Sequence, residues 1–549
     1  MEILRNKKNL RFGFLAFLII LPSLIFLVSR SAQIESWDNW NWGSAQTMLT
    51  VRYWARDGFL KHRMFFLLNG YHPEIEILDK PEFRFLTGNT LTGGLVGNRL
   101  YYNHYPSNYV IPYGLLGKLG VENRFWFRML SVVFSFGSVL FLAGFIYILT
   151  NYNRWIALIA VFYYITSSSF ISYADSLNNT PLDDFFKLLI LFLSAYYWKI
   201  ADSAASKRRL KSAIWILYFI LASVSLDSTF FVFFWLGAFN FMETKKFNFK
   251  EYFYWAAAPL SAFIIQFTQN TFYLGFKNAM LDLWGDFLYR FSEAPAALDN
   301  LPPIIKSISA AFSTAGYFSD MRTRFAIPLI LLLVYFLFKE KDSKHLLRYG
   351  AILAVSGSIH PFIFPVAGTF GYQGRQMAPA LLLIFGLAAW KLLKKIKEKQ
   401  FSLHFFALLF CAIAFWAAHF SASFSYTREW PNNVFPKEDI VFLQNLNKIS
   451  DSSTMILRIK PDIAKVDRSL EDFYADRLII SFKNIDVLLE YMDRIYSTIP
   501  GKVNFLLVLP GQEYQPALEK LKNMDDFSAA DAPVVPLIDD FKIIKVIHK

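Results

Sequence analysis

The stretch Glu35-Ser36-Trp37-Asp38-Asn39-Trp40-Asn41-Trp42 sets the carboxylate of Asp38 among three tryptophans. An acid in so apolar and interfacial a setting can serve as a general base, with its pKa tuned by the surroundings. The plainer reading is a tryptophan belt at the lipid headgroups. Further on, Tyr101-Tyr102-Asn103-His104-Tyr105-Pro106-Ser107-Asn108-Tyr109 runs into the apolar Val110–Leu119 and then Arg124 and Arg128. Here His104 and Tyr105 can hydrogen-bond and stack on a sugar or phosphate, with Arg128 as a fixed cation. The competing reading is a proline-marked loop entering a short interfacial helix, with Arg128 a snorkelling anchor.

A third cluster, Tyr173-Ala174-Asp175-Ser176-Leu177-Asn178-Asn179-Thr180-Pro181-Leu182-Asp183-Asp184, ends in two adjacent acids at the start of an apolar run. Asp183 and Asp184 are costly there unless they face a cavity, a partner or water. Simple solvation at a helix amino terminus is the alternative. Two later features are Asp227, and His360-Pro361-Phe362 followed by Gly371-Tyr372-Gln373-Gly374-Arg375-Gln376. Arg375 can meet a lipid phosphate or act as an anchor. Met280, Trp284, Phe287, Leu288 and Phe291 share one helical face, which suits a helix lying in the interface. No Walker loop, dinucleotide fingerprint, Cys/His zinc pattern or Gly-x-Ser-x-Gly elbow is present. An ATP-driven transporter is therefore not indicated, and with no metal-ligand spacing visible a divalent metal is left open.

These residues need a scaffold, and the composition says which kind. Of 549 residues 55% are hydrophobic and only 18% charged, with 59 Phe, which excludes a cytosolic enzyme of this size. The lone Cys411 sits in an apolar run and excludes a disulfide scaffold. A net charge of +13 suggests nucleic acid until the basic residues are located at the ends of hydrophobic segments.

Uncharged stretches long enough to cross about 30 Å of hydrocarbon lie near 12–29, 129–149, 155–172, 182–198, 252–269, 325–338, 346–366, 376–392 and 402–422. The run 212–242 is too long for one helix and is broken at Ser225-Leu226-Asp227-Ser228, which predicts a hairpin of two helices and about eleven spans in all. The basic segments Met1–Arg11, 199–211, 243–250, 339–348 and 391–399 then share one side. This predicts a cytoplasmic amino terminus and an outer carboxyl terminus in a plasma (inner) membrane. The first span reads as an anchor more than as a cleaved signal peptide, because Arg30 suits a cleavage site poorly.

The expected fold is thus a polytopic α-helical membrane protein with a large first outer loop, 31–128. Residues 1–426 form the membrane module and 427–549 a small α/β domain outside the membrane. In the latter, strand-like runs at 455–459, 478–480 and 503–509 alternate with helical patterns at Ile485–Tyr496 and Tyr514–Leu521.

Taken in order, these pieces resemble the GT-C membrane glycosyltransferases, in particular the branch of protein O-mannosyltransferases and lipid A aminoarabinose transferases. Asp38 stands where that family has its loop-one acid, and His104-Tyr105-Pro106 with Tyr109 looks like its proline-containing segment. Phe127-Arg128-Met129-Leu130-Ser131 resembles its arginine-led second helix, and Asp183 or Asp184 before Phe185-Phe186 its second acid. Arg375 ahead of Met377-Ala378-Pro379 resembles a late arginine before a proline-containing helix. The chain departs from the family at Asn39, at Ser107 after the proline, and at Asp227-Ser228, where a lysine is frequent.

The resemblance implies a polyprenyl-phosphate-sugar-dependent glycosyltransferase, moving a hexosyl or pentosyl group to a lipid, glycan or protein acceptor. Asp38 is then the catalytic base, Arg128, Arg375, His104 and Tyr105 the donor-phosphate side, and the lipid-linked sugar the donor substrate. A lipid or glycan transporter or flippase, and a catalytically silent GT-C-like assembly component, are the alternatives. A transporter predicts polar residues deep inside helices instead of at their outer ends.

Overall fold

The structure, a computed structural model, describes residues 7–33, 37, 41–67, 101–102, 106–277, 279–281, 283–284, 302–319, 323–340, 343–369, 371–429, 435–451, 453–459, 468–498, 503–524, 527–531 and 541–548. Asp38, His104, Tyr105 and most of the expected interfacial helix Met280–Phe291 lie outside these residues.

The first elements are α1 (Lys7–Ala32), α2 (Asn41–Asp57), β1 (Phe66–Leu67), β2 (Tyr101–Tyr102) and α3 (Ile111–Lys118). A helical array follows: α4 (Arg124–Leu149), α5 (Arg154–Ile165), α6 (Ser168–Tyr173), α7 (Thr180–Lys199), α8 (Ala204–Val224), α9 (Leu226–Thr244) and α10 (Phe249–Leu274). It continues with α11 (Pro303–Ser319), α12 (Thr323–Lys339), α13 (Lys344–Ile363), α14 (Gly374–Lys397) and α15 (Leu403–Glu429). The tail holds α16 (Lys437–Ile449), β3 (Thr454–Ile459), α17 (Arg468–Ala475), β4 (Ile479–Phe482), α18 (Ile485–Thr498), β5 (Asn504–Pro510), α19 (Gly511–Lys522), β6 (Phe527–Asp531) and β7 (Phe541–His548). By their contacts these fall into two compact units. The first is Met1–Gln33, Tyr105–Tyr109 and Phe125–Asn433; the second is Ile34–His104, Val110–Arg124 and Val434–Lys549.

In the first unit Gly13–Ala32, Arg124–Leu149, Lys344–Ile363, Gly371–Lys397 and Leu403–Ser421 are long and apolar enough to cross a membrane. Others of the expected spans are helical but carry charge: Asp183, Asp184, Lys187 and Lys199 in α7, and Lys207, Arg208, Arg209 and Lys211 in α8. Large apolar side chains such as Val133, Leu140, Phe253 and Phe263 point outward, a surface suited to hydrocarbon.

The expected hairpin is present. Ser225 is extended (φ −151°, ψ 127°) between α8 and α9, and Tyr218 donates across the turn to the Thr229 carbonyl at 2.9 Å. One expectation is corrected: the span 155–172 is two helices. Ser167 is extended and its hydroxyl accepts from the Phe170 amide at 3.1 Å, because serine and threonine at 166–169 compete for the backbone bonds a continuous helix needs. The connection between α10 and α12 contains α11, which packs on the helical array: Ser313 donates to the Gly368 carbonyl at 2.6 Å. Helices α4 and α7 approach closely because Phe185 and Phe192 sit over Gly137 and Gly144, where an added Cβ would meet the rings at 2.7 and 2.8 Å.

In the second unit the tail forms a five-stranded sheet of order β4-β3-β5-β7-β6. Strand β3 runs parallel to β4 and β5, while β7 is antiparallel to β5 and β6. Buried strand side chains Ile456, Ile479, Leu506, Val508 and Ile543 share a core with Leu443 of α16, Leu470 of α17, Ala45 of α2 and Trp37.

Candidate functional site

Asp183 lies in the first turn of α7 behind Pro181, with Asp184 next to it. Proline is pre-organised for a helix start, and carboxylates there are favoured by the helix dipole. Neither acid is solvated: Asp183 is 0% exposed and Asp184 6%. Three residues on, and so on the same helical face, Lys187 donates to Asp184 Oδ1 at 2.7 Å and is itself buried.

The start of α14 supplies the partners. Arg375 Nη1 lies 3.2 Å from Asp184 Oδ2, and Nη2 3.6 Å from Asp183 Oδ2. The same guanidinium donates to the carbonyls of Thr180 and Tyr372, each at 3.1 Å. Tyr164 adds a phenol O–H to Asp184 Oδ2 at 3.1 Å. Gln376, one residue on, accepts from Lys187 at 3.0 Å and donates to Ser228 of α9 at 2.9 Å. Two carboxylates therefore face one ammonium and one guanidinium, and neutral amide, hydroxyl and phenol groups connect them. Burial in low dielectric tolerates such groups when they are paired and hydrogen-bonded.

Alongside, Gln373 donates to Asp227 Oδ2 at 2.6 Å, and His360 Nδ1 stands 3.2 Å from Asp227 Oδ1. Asp227 and Ser228 are neighbours in sequence, as are the turn residues 373–376, so both sets meet at the starts of α9 and α14.

Arg128 belongs to a different set. Its Nη2 pairs with Asp175 Oδ2, and Nη1 donates to the Arg30 carbonyl at 3.3 Å. Arg30 pairs with the same carboxylate, through Nε at 3.1 Å and through Nη2, while Ser31 donates to Oδ2 at 3.1 Å. All four residues are buried. Burial alone would push the Asp175 carboxyl up; the guanidinium groups of Arg128 and Arg30 outweigh it and hold the carboxyl at about 2. This one carboxylate ties the carboxyl end of α1 and the start of α4 to the 174–179 connection.

Of the residues singled out in the sequence, Asp183, Asp184 and Arg375 thus come together, and Asp227 meets His360. Arg128 sits apart with Asp175, and the placement of Asp38, His104 and Tyr105 lies outside the described residues. Sequence reasoning missed Lys187, Gln376, Ser228, Arg30 and Asp175 as partners. The Asp184–Lys187 spacing of three inside an apolar helix was the available signal. Among the described residues no three His, Cys, Asp or Glu side chains group as metal ligands.

No protein-family profile and no curated protein matches the chain. Solved structures do. ArnT from Cupriavidus metallidurans bound to undecaprenyl phosphate aligns over 97% of this chain and 98% of that one, at 11% identity and a TM-score of 0.55. ArnT in the apo state aligns over 97% and 98%, at 12% identity and a TM-score of 0.48. An Archaeoglobus fulgidus oligosaccharyltransferase tethered with an acceptor peptide aligns over 93% of this chain and 70% of that one, at 11% identity and a TM-score of 0.49. The likeness to lipid-bound ArnT shows that the chain shares that protein's fold.

Proposed function

We propose that the protein is a membrane glycosyltransferase that moves a hexosyl or pentosyl group from a polyprenyl phosphate to a lipid, glycan or protein acceptor at the outer face of a plasma membrane. The observation that carries this reading is the end-to-end likeness to ArnT, a protein seen with undecaprenyl phosphate bound. The buried acid and cation cluster at the starts of α7 and α14 agrees with it, because charge held among lipid-exposed helices marks a functional site more readily than a purely structural one. The positive-inside pattern orients the chain, with its amino terminus cytoplasmic and its carboxyl-terminal domain outside.

In this reading Asp38 takes the proton of the acceptor hydroxyl, whose oxygen forms the bond to the anomeric carbon. The bond from that carbon to the phosphate oxygen breaks on the opposite face, and the electron pair leaves with the polyprenyl phosphate. Configuration is inverted by this single displacement. General-base help of this kind contributes roughly 10²–10⁴-fold. Arg375 and Arg128, with His104 and Tyr105, neutralise and orient the leaving phosphate. Arg375 is already paired with carboxylates, so phosphate binding there exchanges one charge-assisted contact for another, and Asp183 and Asp184 hold the Arg375 guanidinium in place when the lipid is absent.

The test is native mass spectrometry of the purified full chain with undecaprenyl phosphate as probe. A retained lipid adduct that undecaprenol does not form, and that weakens in Arg375→Gln, supports the reading. Equal retention of the alcohol and the phosphate removes the phosphate-recognising site from it.

A further inference from the structure

We infer that Asp227, at the hairpin between α8 and α9, positions the Arg375 guanidinium by holding the Gln373 side chain. The inference rests on the reading in which Arg375 meets the leaving phosphate. Arg375 itself reaches toward α7, where its guanidinium contacts Asp183, Asp184 and the Thr180 carbonyl. The glutamines on either side of it turn instead to α9. Gln373 donates to Asp227 Oδ2 at 2.6 Å, and Gln376 donates to the Ser228 hydroxyl at 2.9 Å. Gln373 and Gln376 are three positions apart and so share a face of this turn, while Asp227 and Ser228 are consecutive at the start of α9. Two adjacent residues of one helix therefore grip two amides that bracket the arginine, and the Arg375 backbone is fixed between α7 and α9.

Asp227 and Gln373 are buried, at 2% and 1% exposed, and a carboxylate buried among apolar helices needs hydrogen-bonded partners. The extended Ser225 brings Asp227 into the first turn of α9, where the helix dipole favours an acid. Helix α13 closes the other side. Its Gly357 lies against the backbone of α14, where an added Cβ would stand 2.5 Å from the Gln376 carbonyl oxygen. Three residues on, His360 places Nδ1 3.2 Å from Asp227 Oδ1, with the Phe230 ring 5.6 Å from its own. One carboxylate thus joins the hairpin, α13 and the turn that carries Arg375. Displacement of a catalytic group by about 1 Å can cost about 10²-fold in rate. Asp227 acts on Arg375 through Gln373 and is accordingly a positioning residue.

The experiment is native mass spectrometry of the purified full chain with undecaprenyl phosphate and undecaprenol as probes. It is read as the ratio of the two adducts, which a general loss of folded protein does not move. We expect Asp227→Ala and Gln373→Ala each to lower that ratio about 3- to 10-fold, the range of one hydrogen bond. Their combination should lower it no further, because both delete the same contact. Asp227→Asn keeps an acceptor for the Gln373 amide and should hold the ratio within about 2-fold of wild type. Gln373→Ala leaves Asp227 with His360, so the question stays answerable if Asp227→Ala fails to fold. A ratio that falls in Arg375→Gln but holds in Gln373→Ala and Asp227→Ala overturns the positioning role alone. So do two single losses that multiply in the double variant. A ratio that Arg375→Gln leaves unchanged overturns the phosphate site itself, and the positioning role with it.

Discussion

Around Asp175 one carboxylate serves two guanidinium groups, whereas around Arg375 two carboxylates meet a lysine and an arginine through shared amide and hydroxyl partners. Both clusters are buried in the same helical unit, yet they distribute risk differently. In the first, Arg30 and Arg128 share one carboxylate, Asp175, and otherwise donate to the neutral carbonyls of Ile171 and Arg30. In the second, each charge has at least two partners, contributed by α5, α7, α9 and α14. The first is built to hold segments together. The second can give up one contact without leaving a bare charge, which a site exchanging a carboxylate for a phosphate requires.

The comparison breaks most directly at Asp175. Asp175→Ala leaves two guanidinium groups buried without their carboxylate and should cost about 3–5 kcal/mol or more, read as a collapse in folded yield from detergent extracts. Yield close to wild type would show that other groups carry the arginines. Asp184→Ala should cost less, about 2–4 kcal/mol in thermal unfolding, because Asp183 and Gln376 still face Arg375 and Lys187. A larger loss than at Asp175 would reverse the ranking.

Acidity gives a gentler probe. The Asp175 carboxyl lies at about 2 when folded, against an ordinary value of 3.8. With the folded value depressed, the unfolded chain binds the extra proton, so this stabilisation is complete above pH 4 and is lost as pH falls from about 4 to about 2. It amounts to about 2 kcal/mol. Acid unfolding of the wild-type chain should therefore show a loss of stability over that range, and a stability flat between about pH 4 and pH 2 would contradict it. The smallest effect is expected for Lys187→Met, which keeps the aliphatic stem and leaves Asp184 with Arg375 and Tyr164. About 1–3 kcal/mol is anticipated by urea titration.

Much of this was legible in the sequence. Hydropathy and the basic segments located the helices, and the break at Ser225 was readable because Asp227 and Ser228 interrupt an apolar run. Asp183, Asp184 and Arg375 stood out because charge at an apolar boundary is costly. Their partners did not, since pairing of Arg30 with Asp175 spans 145 positions and is decided by helix packing that no local pattern encodes. In the tail β3, β4 and β5 announced themselves as apolar runs. Strand β6, Phe-Ser-Ala-Ala-Asp, has little β-propensity of its own and exists through its pairing with β7. Trp37 misled for a related reason: a tryptophan at a membrane boundary reads as a headgroup anchor until tertiary contacts bury it.

The central claim is that the chain transfers a sugar with Asp38 as base. It is tested most directly by mass spectrometry of envelope glycans from cells lacking the protein and from cells given back wild type or Asp38→Ala at equal membrane levels. The account predicts that deletion removes a sugar, that wild type restores it and that Asp38→Ala does not, with the mass difference naming the sugar class. Full restoration by Asp38→Ala would contradict it, leaving Asp38 an interfacial residue and moving transport or scaffolding ahead of transfer.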